Sequence, residues 1–457
     1  MAGRMNRSNG KTTGRRHAWN ITSENLSYTQ NVQGITYGLR SIPVNKKMRW
    51  HPPLTVKSER FLHLPAYKIQ NWWEENVLHF GPSVAIYAVS GKRSLFGPQT
   101  GLFREMALIA KSRGIDLFIV TPGHFQYDRR QSLGYRYNSK QKRWRLELCP
   151  WPDFVWRRVV TRPLRCQRQM DLDENLLTQT SLVGTLPRIQ SEKWFIHTIL
   201  SQSSVVLPFL LPAVLVQTPY DLLRAVQQLG DVYLKPVRGT QGQRIVRVLT
   251  TASGYVAQWA KGRSDQPPPS EVLATDRDVL RRFAGIRAST PFIAQRTVSL
   301  LRTISNEPFD LRYLIQAPTD ENSPPLCTGI VARVASNQAV TTNLHTGALP
   351  LSVQELEDRM APHTITLFQQ AVDRGEKAAI AAFIALSNQH KALAELGVDI
   401  ALDRQGRAFV LEVNPCPGRQ MFRRVDPVMR RLSLERVLEY AVFRTDFLRS
   451  VKGADLG

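Results

Sequence analysis

Three short segments with different hydrophobic patterns predict an open α/β layer in the first half of the chain. Val84–Val89 and Ile115–Val120 are apolar runs of the length of buried strands. Between them, Gly101–Arg113 has the apolar spacing of an amphipathic helix, which Gly114 ends. A strand, a helix and a second strand at this spacing predict parallel strands. Trp151–Arg158 is predicted as a further strand of the same layer.

The rest of the chain alternates between helical and strand patterns, which predicts a second folded region. Helices are predicted from Ser191 to Ser201, over Pro219–Leu229, over Ile365–Leu396 and after Asp426. Strands are predicted over Val232–Lys235, Phe292–Gln295, Asp310–Gln316 and Gly329–Ala335, followed by a hairpin of Val398–Leu402 and Arg407–Val413. The polar stretch from Thr251 to Pro291 contains a run of three prolines and is predicted as a surface insertion.

The charge of the chain is unusual, because 61 basic residues against 37 acidic ones give a net charge of +24. Such an excess attracts nucleic acid, acidic polymers and other anions. Part of it lies in residues 1–16, a polar head predicted to be disordered, and more lies between Arg129 and Arg168. A solvated basic face is the favoured interpretation. Nucleic-acid binding stays open as the alternative, although no nucleic-acid-binding motif supports it.

Cysteine usage and hydropathy indicate a location in the cytoplasm. The four cysteines are scattered, without a Cys-x-x-Cys pair or a metal-ligand spacing. The most apolar stretch, Val205–Val216, is short and broken by two prolines, which makes it a poor membrane span. The basic N-terminus lacks the apolar segment of a signal peptide.

The strongest chemical signal is the final hairpin and the Asn-Pro-Cys-Pro-Gly segment that follows it. A four-residue turn at Asp403–Gly406 predicts that Asp399 lies opposite Val410. Because side chains alternate along a strand, Glu412 and Asn414 then share the face of Asp399. Two carboxylates and an amide oxygen are hard ligands suited to a Mg²⁺ ion that also binds nucleotide phosphates.

A second signal is a glycine-containing loop, Gly239–Gly242, directly after a strand that ends at Lys235. Backbone N–H groups of such a loop can cradle phosphates, and Lys235 would supply a positive charge beside them. The spacing of a P-loop is absent, and no Gly-x-Gly-x-x-Gly follows the Val84–Val89 strand. An ordinary hairpin remains the alternative for this segment.

Arginines on the neighbouring strands form a third group of candidates. Arg312 and Arg333 lie within the predicted strands, where a fixed guanidinium can hold phosphate or carboxylate oxygens. The alternative for each is an edge-strand arginine in water.

These residues resemble the ATP-grasp superfamily, and within it the YheC/YheD group, described as spore-coat-associated. The resemblance covers roughly Ser191 to Gly418 and rests on Phe309–Gln316, on Arg333-Val-Ala, on Thr342-Asn-Leu and on the final hairpin. It implies an ATP-grasp fold of two α+β subdomains behind an open α/β pre-ATP-grasp domain. Five regions follow: a tail (1–16), an extension (17–80), a pre-ATP-grasp domain (81–185), an ATP-grasp domain (186–425, its subdomains 186–292 and 293–425) and a C-terminal helix (426–457).

The resemblance also implies a role for each candidate residue. Lys193, Lys235 and the loop of Gly239, Thr240, Gln241 and Gly242 contact ATP phosphates, and the hinge of Gln295, Arg296, Thr297 and Val298 binds adenine. Asp310 contacts ribose or supports the site, and Arg312 does one of these or helps to hold the substrate. Arg333 lies near the γ-phosphate, and Asp399, Glu412 and Asn414 bind one or two Mg²⁺ ions, or Mn²⁺. His345 is the histidine expected nearest to this site, in a structural role.

The implied activity is that of an ATP-dependent carboxylate–amine or carboxylate–thiol ligase, with Arg333, Arg312 and Lys235 as catalytic residues. The substrates are a carboxylate and an amine or similar acceptor. The basic charge of the chain makes an acidic peptide or polymer a candidate for one of them. Two alternatives stay open: an ATP-binding coat-associated structural protein without useful turnover, and a nucleic-acid-binding protein. The location is the cytoplasm, or a spore layer by family resemblance.

Overall fold

The computed structural model describes residues 82–91, 94–113, 115–159, 163–239, 244–260, 267–337, 339–342, 347–390 and 392–445, with the backbone of four short strands before residue 82. The predicted tail at residues 1–16 lies outside these ranges. The chain groups into two compact units. The first contains Met1–Thr185, Thr319–Asn322 and Leu434–Gly457, and the second contains Leu186–Pro318 and Ser323–Ser433.

The first unit contains two sheets. The backbone strands β1 (His17–Asn20), β2 (Ile42–Pro43), β3 (Lys68–Glu74) and β4 (Val77–His79) pair in the order β1-β3-β4-β2. The second sheet is built from β5 (Ser83–Tyr87), β6 (Asp116–Gln126), β7 (Gln131–Asn138), β8 (Arg143–Pro150), β9 (Phe154–Arg157) and β10 (Leu182–Val183), in the order β10-β9-β5-β6-β7-β8. Its helices are α1 (Thr100–Ser112) and α2 (Gln167–Thr180).

The predicted parallel layer is confirmed, because β5 pairs in parallel with both β6 and β9. All five residues of β5 are buried, and α1 turns its apolar residues inward. The hairpin of β7 and β8 was not predicted. Its sequence is rich in basic residues, and β8 is largely exposed, so no apolar run marks it. Arg136 of β7 nevertheless reaches the buried carboxylate of Asp116, 2.8 Å away.

The second unit begins with α3 (Lys193–Ser201) and a six-stranded sheet. The members of this sheet are β11 (Ala213–Val216), β12 (Val232–Pro236), β13 (Val246–Thr251), β14 (Gly254–Trp259), β15 (Ser270–Leu273) and β16 (Phe292–Arg296), in the order β11-β16-β12-β13-β14-β15. Two helices, α4 (Pro219–Leu229) and α5 (Asp276–Arg282), cover one face. The predicted insertion at 251–291 is therefore wrong, because it contains β14, β15 and α5.

Local sequence explains where α4 begins and ends. Thr218 and Asp221 form a reciprocal capping box, and Pro219 occupies the first turn, where its missing N–H costs nothing. Gly230 ends the helix with a φ of 72°, a conformation that favours glycine. The helix buries Leu222 against the sheet, which stabilises the unit by about 1.5–3 kcal/mol.

A five-stranded sheet completes the second unit. It consists of β17 (Phe309–Gln316), β18 (Leu326–Val334), β19 (Leu349–Leu351), β20 (Glu395–Leu402) and β21 (Ala408–Asn414), in the order β19-β18-β17-β20-β21. Beside it are α6 (Val353–Glu357) and α7 (Ile365–Ser387), and α8 (Gln420–Val425) and α9 (Pro427–Arg444) follow. On the α7 face, the Tyr313 hydroxyl donates to the Val372 carbonyl, 2.8 Å away. There Gly375 leaves room for the Tyr313 ring, whose hydroxyl an added Cβ would meet.

Helix α7 is shorter than predicted, because it ends at Ser387 rather than at Leu396. The apolar residues after His390 continue a helical pattern, but they lead into β20, whose eight residues are all buried. Pairing with β17 on one side and β21 on the other outweighs the local helical preference there. In the part of the chain that the structure describes, no helix is long and apolar enough to cross a membrane.

Candidate active site

One face of the five-stranded sheet carries a cluster of charged residues from four adjacent strands. Asp310 of β17 lies opposite Arg333 of β18, and Arg312 of β17 lies opposite Asp399 of β20. Asp399 in turn faces Glu412 of β21. Residues directly opposite each other share a face of the sheet, so these five side chains converge. Asn414, opposite Gly397, lies on the same face.

A β-bulge brings Glu412 into this cluster, and it corrects the predicted register. Ile400, rather than Asp399, lies opposite Val410, and the pairing then shifts so that Asp399 faces Glu412. Leu411 is the extra residue. Val410 and Val413 therefore share the opposite, α7-facing side. The predicted common face of the two carboxylates and Asn414 is present because the bulge offsets a turn one residue longer than predicted, in which Leu402 pairs with Ala408.

The carboxylates and guanidiniums of the cluster form a buried ion-pair network. Arg312 donates to both carboxylate oxygens of Asp399, and its Nη2 lies 2.7 Å from Oδ2. Arg333 donates to both oxygens of Asp310, at 2.6 and 2.5 Å, and its Nη2 lies 2.9 Å from Asp399 Oδ2. The hydroxyl of Thr342 also donates to Asp310. Asp310, Arg333 and Asp399 are each at most 5% exposed.

Burial and ion pairing act in opposite directions on the acids of this network. Burial alone would raise the pKa of Asp399, but the guanidiniums of Arg312 and Arg333 outweigh it and hold the pKa below its ordinary value. Burial also raises the pKa of Asp310, against the attraction of Arg333. Asp399 is therefore anionic at neutral pH, and its charge is shared between two cations.

A second buried network anchors the segment that follows Asn414. Arg419 Nη1 donates to Glu395 Oε1 at 2.9 Å and to the Pro417 carbonyl at 2.8 Å, and its Nη2 donates to Glu395 Oε2. Gln316 Nε2 donates to the same carboxylate and to the Ser433 carbonyl. Glu395 and Arg419 are 0% and 2% exposed. Because Pro417 lies three residues after Asn414, this network fixes the exit of the strand that carries Glu412 and Asn414.

Gly397 lets that segment approach the sheet, which gives a first prediction. An added Cβ would lie 2.9 Å from Pro417 Cβ and 3.2 Å from Arg312 Cδ. We expect Gly397→Ala to lower the free energy of unfolding by about 1–3 kcal/mol, the usual cost of overpacking. Urea unfolding measures this change. Gly418→Ala is the matched control, because nothing lies within 4 Å of its Cβ position. Equal stability of the two variants would contradict the close approach.

The six-stranded sheet presents Lys235 and Gln295 on the face opposite to its α4 and α5 side. Tyr233 pairs with Gln295 and Lys235 with Ile293, whereas Val232 and Leu234 point into the helix-covered core. Lys235 Nζ donates to Gln295 Oε1 at 2.7 Å and to the Leu411 carbonyl at 3.3 Å. Burial lowers the pKa of Lys235, and Glu412 opposes this effect. The bulge residue Leu411 thus supplies the carbonyl that holds the Lys235 ammonium.

Lys193 is the first residue of α3 and links the loop after β12 to the carboxylate cluster. Its Nζ donates to the Gly239 carbonyl at 2.7 Å and lies 3.5 Å from Glu412 Oε1. Gly239 is exposed and has a φ of 138°, which favours glycine. Thr240, Gln241 and Gly242, the other residues of the predicted phosphate loop, lie outside the described ranges.

A cavity open to solvent joins these groups. Its wall combines two lysines, one carboxylate and an amide with a largely apolar surface. The lining residues are Lys193, Ile196, His197, Leu200, Leu210, Lys235, Ile293, Gln295 and Val410–Val413. His197 was not predicted here. It follows Lys193 by one helical turn, a spacing that could have indicated a shared face, and its ring stacks on Trp194. Burial lowers the pKa of His197, and His345 lies outside the described ranges.

The predicted hinge residues Arg296, Thr297 and Val298 follow Gln295 but are not part of the cavity wall. The N–H of Arg296 donates to the Pro212 carbonyl at 3.0 Å, and that of Thr297 donates to the Asp231 carbonyl at 2.9 Å. These two N–H groups are therefore engaged within the protein.

The donor set of Asp399, Glu412 and Asn414 fits a hard divalent cation. Its oxygens share one face, and Glu412, 35% exposed, has only Lys193 as an ion-pair partner among the described residues. The side-chain oxygen Oδ1 of Asn414 accepts from the Cys416 N–H, which orients the Asn414 amide. Among the residues that the structure describes, no three His, Cys, Asp or Glu side chains could hold a metal ion together. A cation here would need further oxygens from a bound ligand.

Comparisons with known proteins identify a family and several similar proteins. Residues 187–443 match the model of the family described as YheC/D like ATP-grasp. The endospore coat-associated protein YheD of Bacillus subtilis is 21% identical over 371 residues, which are 79% of this chain and 79% of that protein. YheC of the same organism is 22% identical over 327 residues, 71% of this chain and 86% of that protein. The VanG D-Ala:D-Ser ligase of Enterococcus faecalis has a TM-score of 0.48 at 13% identity, and covers 79% of this chain and 100% of its own.

Proposed function

The chain belongs to the YheC/D-like ATP-grasp family, and from that membership we propose that it is an ATP-dependent ligase. It activates a substrate carboxylate as an acyl phosphate, which an amine or a thiol then attacks. One observation carries this proposal: the lysines of the nucleotide side and the Glu412 carboxylate of the metal side meet at one cavity, where Lys193 Nζ lies 3.5 Å from Glu412 Oε1.

In the proposed complex, the apolar part of the cavity and the hinge at Gln295–Val298 receive adenine. Lys193, Lys235 and the loop Gly239–Gly242 bind the phosphates. Their charges suit this role, because the neutral Gln295 and a carbonyl hold Lys235 without a carboxylate bonded to it. Asp399, Glu412 and Asn414 would hold Mg²⁺, which supplies a Lewis acid for the phosphate oxygens.

The first chemical step is attack of a substrate carboxylate oxygen on the γ-phosphorus of ATP, with ADP as the leaving group. Lys235 and Arg333 neutralise the negative charge on the transferring oxygens, and Arg312 helps to hold the substrate. Asp310 fixes Arg333 through two hydrogen bonds, so the guanidinium is oriented before the nucleotide binds. The acceptor then attacks the acyl carbon, and phosphate leaves.

Removing the charge of Lys235 tests the nucleotide site. We expect Lys235→Ala to weaken ATP binding by about tenfold or more, because a hydrogen bond to a charged group contributes roughly 1.5–3 kcal/mol. Calorimetric titration with ATP and Mg²⁺ measures the change. Lys377→Ala is the control, because Lys377 is exposed on α7. The nucleotide proposal fails if the folded wild-type protein binds no ATP.

A second candidate function is ATP binding without useful turnover in a spore coat. The names of the two Bacillus relatives favour it, since both are described as endospore coat-associated. ADP release with a panel of carboxylates and amines separates the candidates, because only a ligase releases ADP in a substrate-dependent way. We propose the cytoplasm as the location of the ligase and a spore layer as that of the coat protein.

The net charge of +24 favours an acidic peptide or polymer as the substrate or partner. Nucleic acid is the competing anion. It would bind with an affinity that falls steeply with salt and does not change in a Glu412 variant.

A further inference from the structure

Arg247 lies on β13, the strand next to β12. It is on the face of the six-stranded sheet that carries Lys235, where we propose that the nucleotide binds. It lies opposite Tyr233, and its neighbours Val246 and Val248 point into the core under α4 and α5. Because side chains alternate along a strand, Arg247 lies on the same face as Tyr233 and Lys235. It also follows the loop Gly239–Gly242 closely, since β13 begins at Val246.

The guanidinium of Arg247 is held over an aromatic ring, and its buried Nε has no hydrogen-bond partner among the described residues. Its Cζ lies 5.9 Å from the centre of the Tyr233 ring, and the Tyr233 hydroxyl donates to the Val340 carbonyl at 2.8 Å, which fixes that ring. The Arg247 Nε is buried and has no partner among the described residues. Asp231, an acid within electrostatic reach of Tyr233, accepts instead from the Thr250 N–H at 2.9 Å.

A buried donor without an acceptor is unfavourable, and an arginine in this state is an open site for an anion. Two nearby cations, Lys193 of α3 and Lys235 of β12, each donate to a protein oxygen. In the part of the chain that the structure describes, Arg247 Nε has no such acceptor, and the guanidinium offers the planar fork that suits phosphate oxygens.

We propose that Arg247 is a further nucleotide-binding residue, which donates to a phosphate oxygen of bound ATP while it stacks on Tyr233. This inference rests on the proposed function. It adds to the implied phosphate contacts a cation from β13, which neither the motifs nor the family resemblance marked.

The test is calorimetric binding of ATP and of adenosine to Arg247→Met, Arg247→Lys, Arg282→Met and the wild type. Arg282 is the matched control, because it also lies over an aromatic ring of this sheet, 4.5 Å from the centre of the Trp259 ring. Trp259, however, packs against the core under α4 and α5. We expect Arg247→Met to weaken ATP binding about tenfold and to leave adenosine binding unchanged. Arg247→Lys should recover part of the loss, and Arg282→Met should resemble the wild type.

Two results of these titrations would overturn the proposal. Equal ATP affinity of Arg247→Met and the wild type overturns the proposal, as does an equal loss for adenosine, which would indicate a disturbed base pocket. If ATP binding is lost in Lys235→Ala but not in Arg247→Met, the proposed function stands and this inference falls. If the folded wild-type protein binds no ATP, both fall.

Discussion

Glu412→Gln is expected to lower ATP-dependent turnover on the order of 100-fold or more, the scale of removing one electrostatic contact from a phosphoryl-transfer site. The amide keeps the size of the side chain but removes the negative charge that a divalent cation requires. It also removes the ion-pair partner of Lys193, which lies 3.5 Å away. The rate of ADP release at saturating ATP and Mg²⁺ measures this effect, and a Mg²⁺ titration should show a higher half-saturating concentration.

The effect of Glu412→Gln should not come from unfolding, because Glu412 is partly exposed and its pair with Lys193 is long. Glu271→Gln is the matched control: it removes a carboxylate 45% exposed, whose pair with Arg282 lies at the surface. We expect that control to retain the wild-type rate. A rate for Glu412→Gln within a factor of about three of the wild type would exclude Glu412 as a metal ligand.

The largest expected loss of stability belongs to Arg419→Met. This change leaves the carboxylate of Glu395, which is 0% exposed, without its bidentate partner. Breaking a buried ion pair from one side costs about 3–5 kcal/mol, because the remaining charge stays desolvated. Gln316 Nε2 also donates to this carboxylate, at 3.2 Å, but a neutral amide cannot replace a cation. Urea unfolding measures the loss as a lower midpoint.

The double variant Glu395→Leu/Arg419→Met distinguishes an unpaired charge from lost packing. Replacing both partners by apolar residues removes the desolvated charge, so we expect the double variant to be more stable than Arg419→Met alone. Arg281→Met is the surface control, since its pair with Asp278 is 81% exposed on the arginine side. A double variant less stable than Arg419→Met would show that the network stabilises through its hydrogen bonds rather than by compensating charge.

The sequence predicted the family and the fold class because short motifs carry both. The predicted ATP-grasp family is confirmed by the match over residues 187–443. Strong local signals also located single elements well. The helix predicted over Pro219–Leu229 has those bounds, because a capping box and a proline mark its first turn and Gly230 marks its end.

Elements that depend on distant partners were harder to predict. The hairpin of β7 and β8 and the strands β14 and β15 lack continuous apolar runs, so only pairing with neighbouring strands identifies them as strands. The helix that ends at Ser387 continues as a pattern into β20, where burial between two strands decides the structure.

In the candidate site too, local motifs identified single residues, whereas the contacts between residues depend on strand pairing. Motifs indicated Lys235, Asp399, Glu412 and Asn414. They did not indicate that Arg312 and Arg333 would both bind Asp399, because those pairings require the register of three strands. The role of each residue in binding or catalysis stays a prediction.

Leu411 is the one residue by which β21 exceeds the paired part of β20 opposite it, because it lies between Val410, which faces Ile400, and Glu412, which faces Asp399. Deleting that single codon would join Val410 directly to Glu412. Strict alternation would then keep Val410 toward α7 and would keep Glu412 and Asn414 on the face of Asp399. The loss would fall instead on the Leu411 carbonyl, which accepts from Lys235 Nζ. One codon thus adds a backbone acceptor for an ammonium group without changing which side chains share a face.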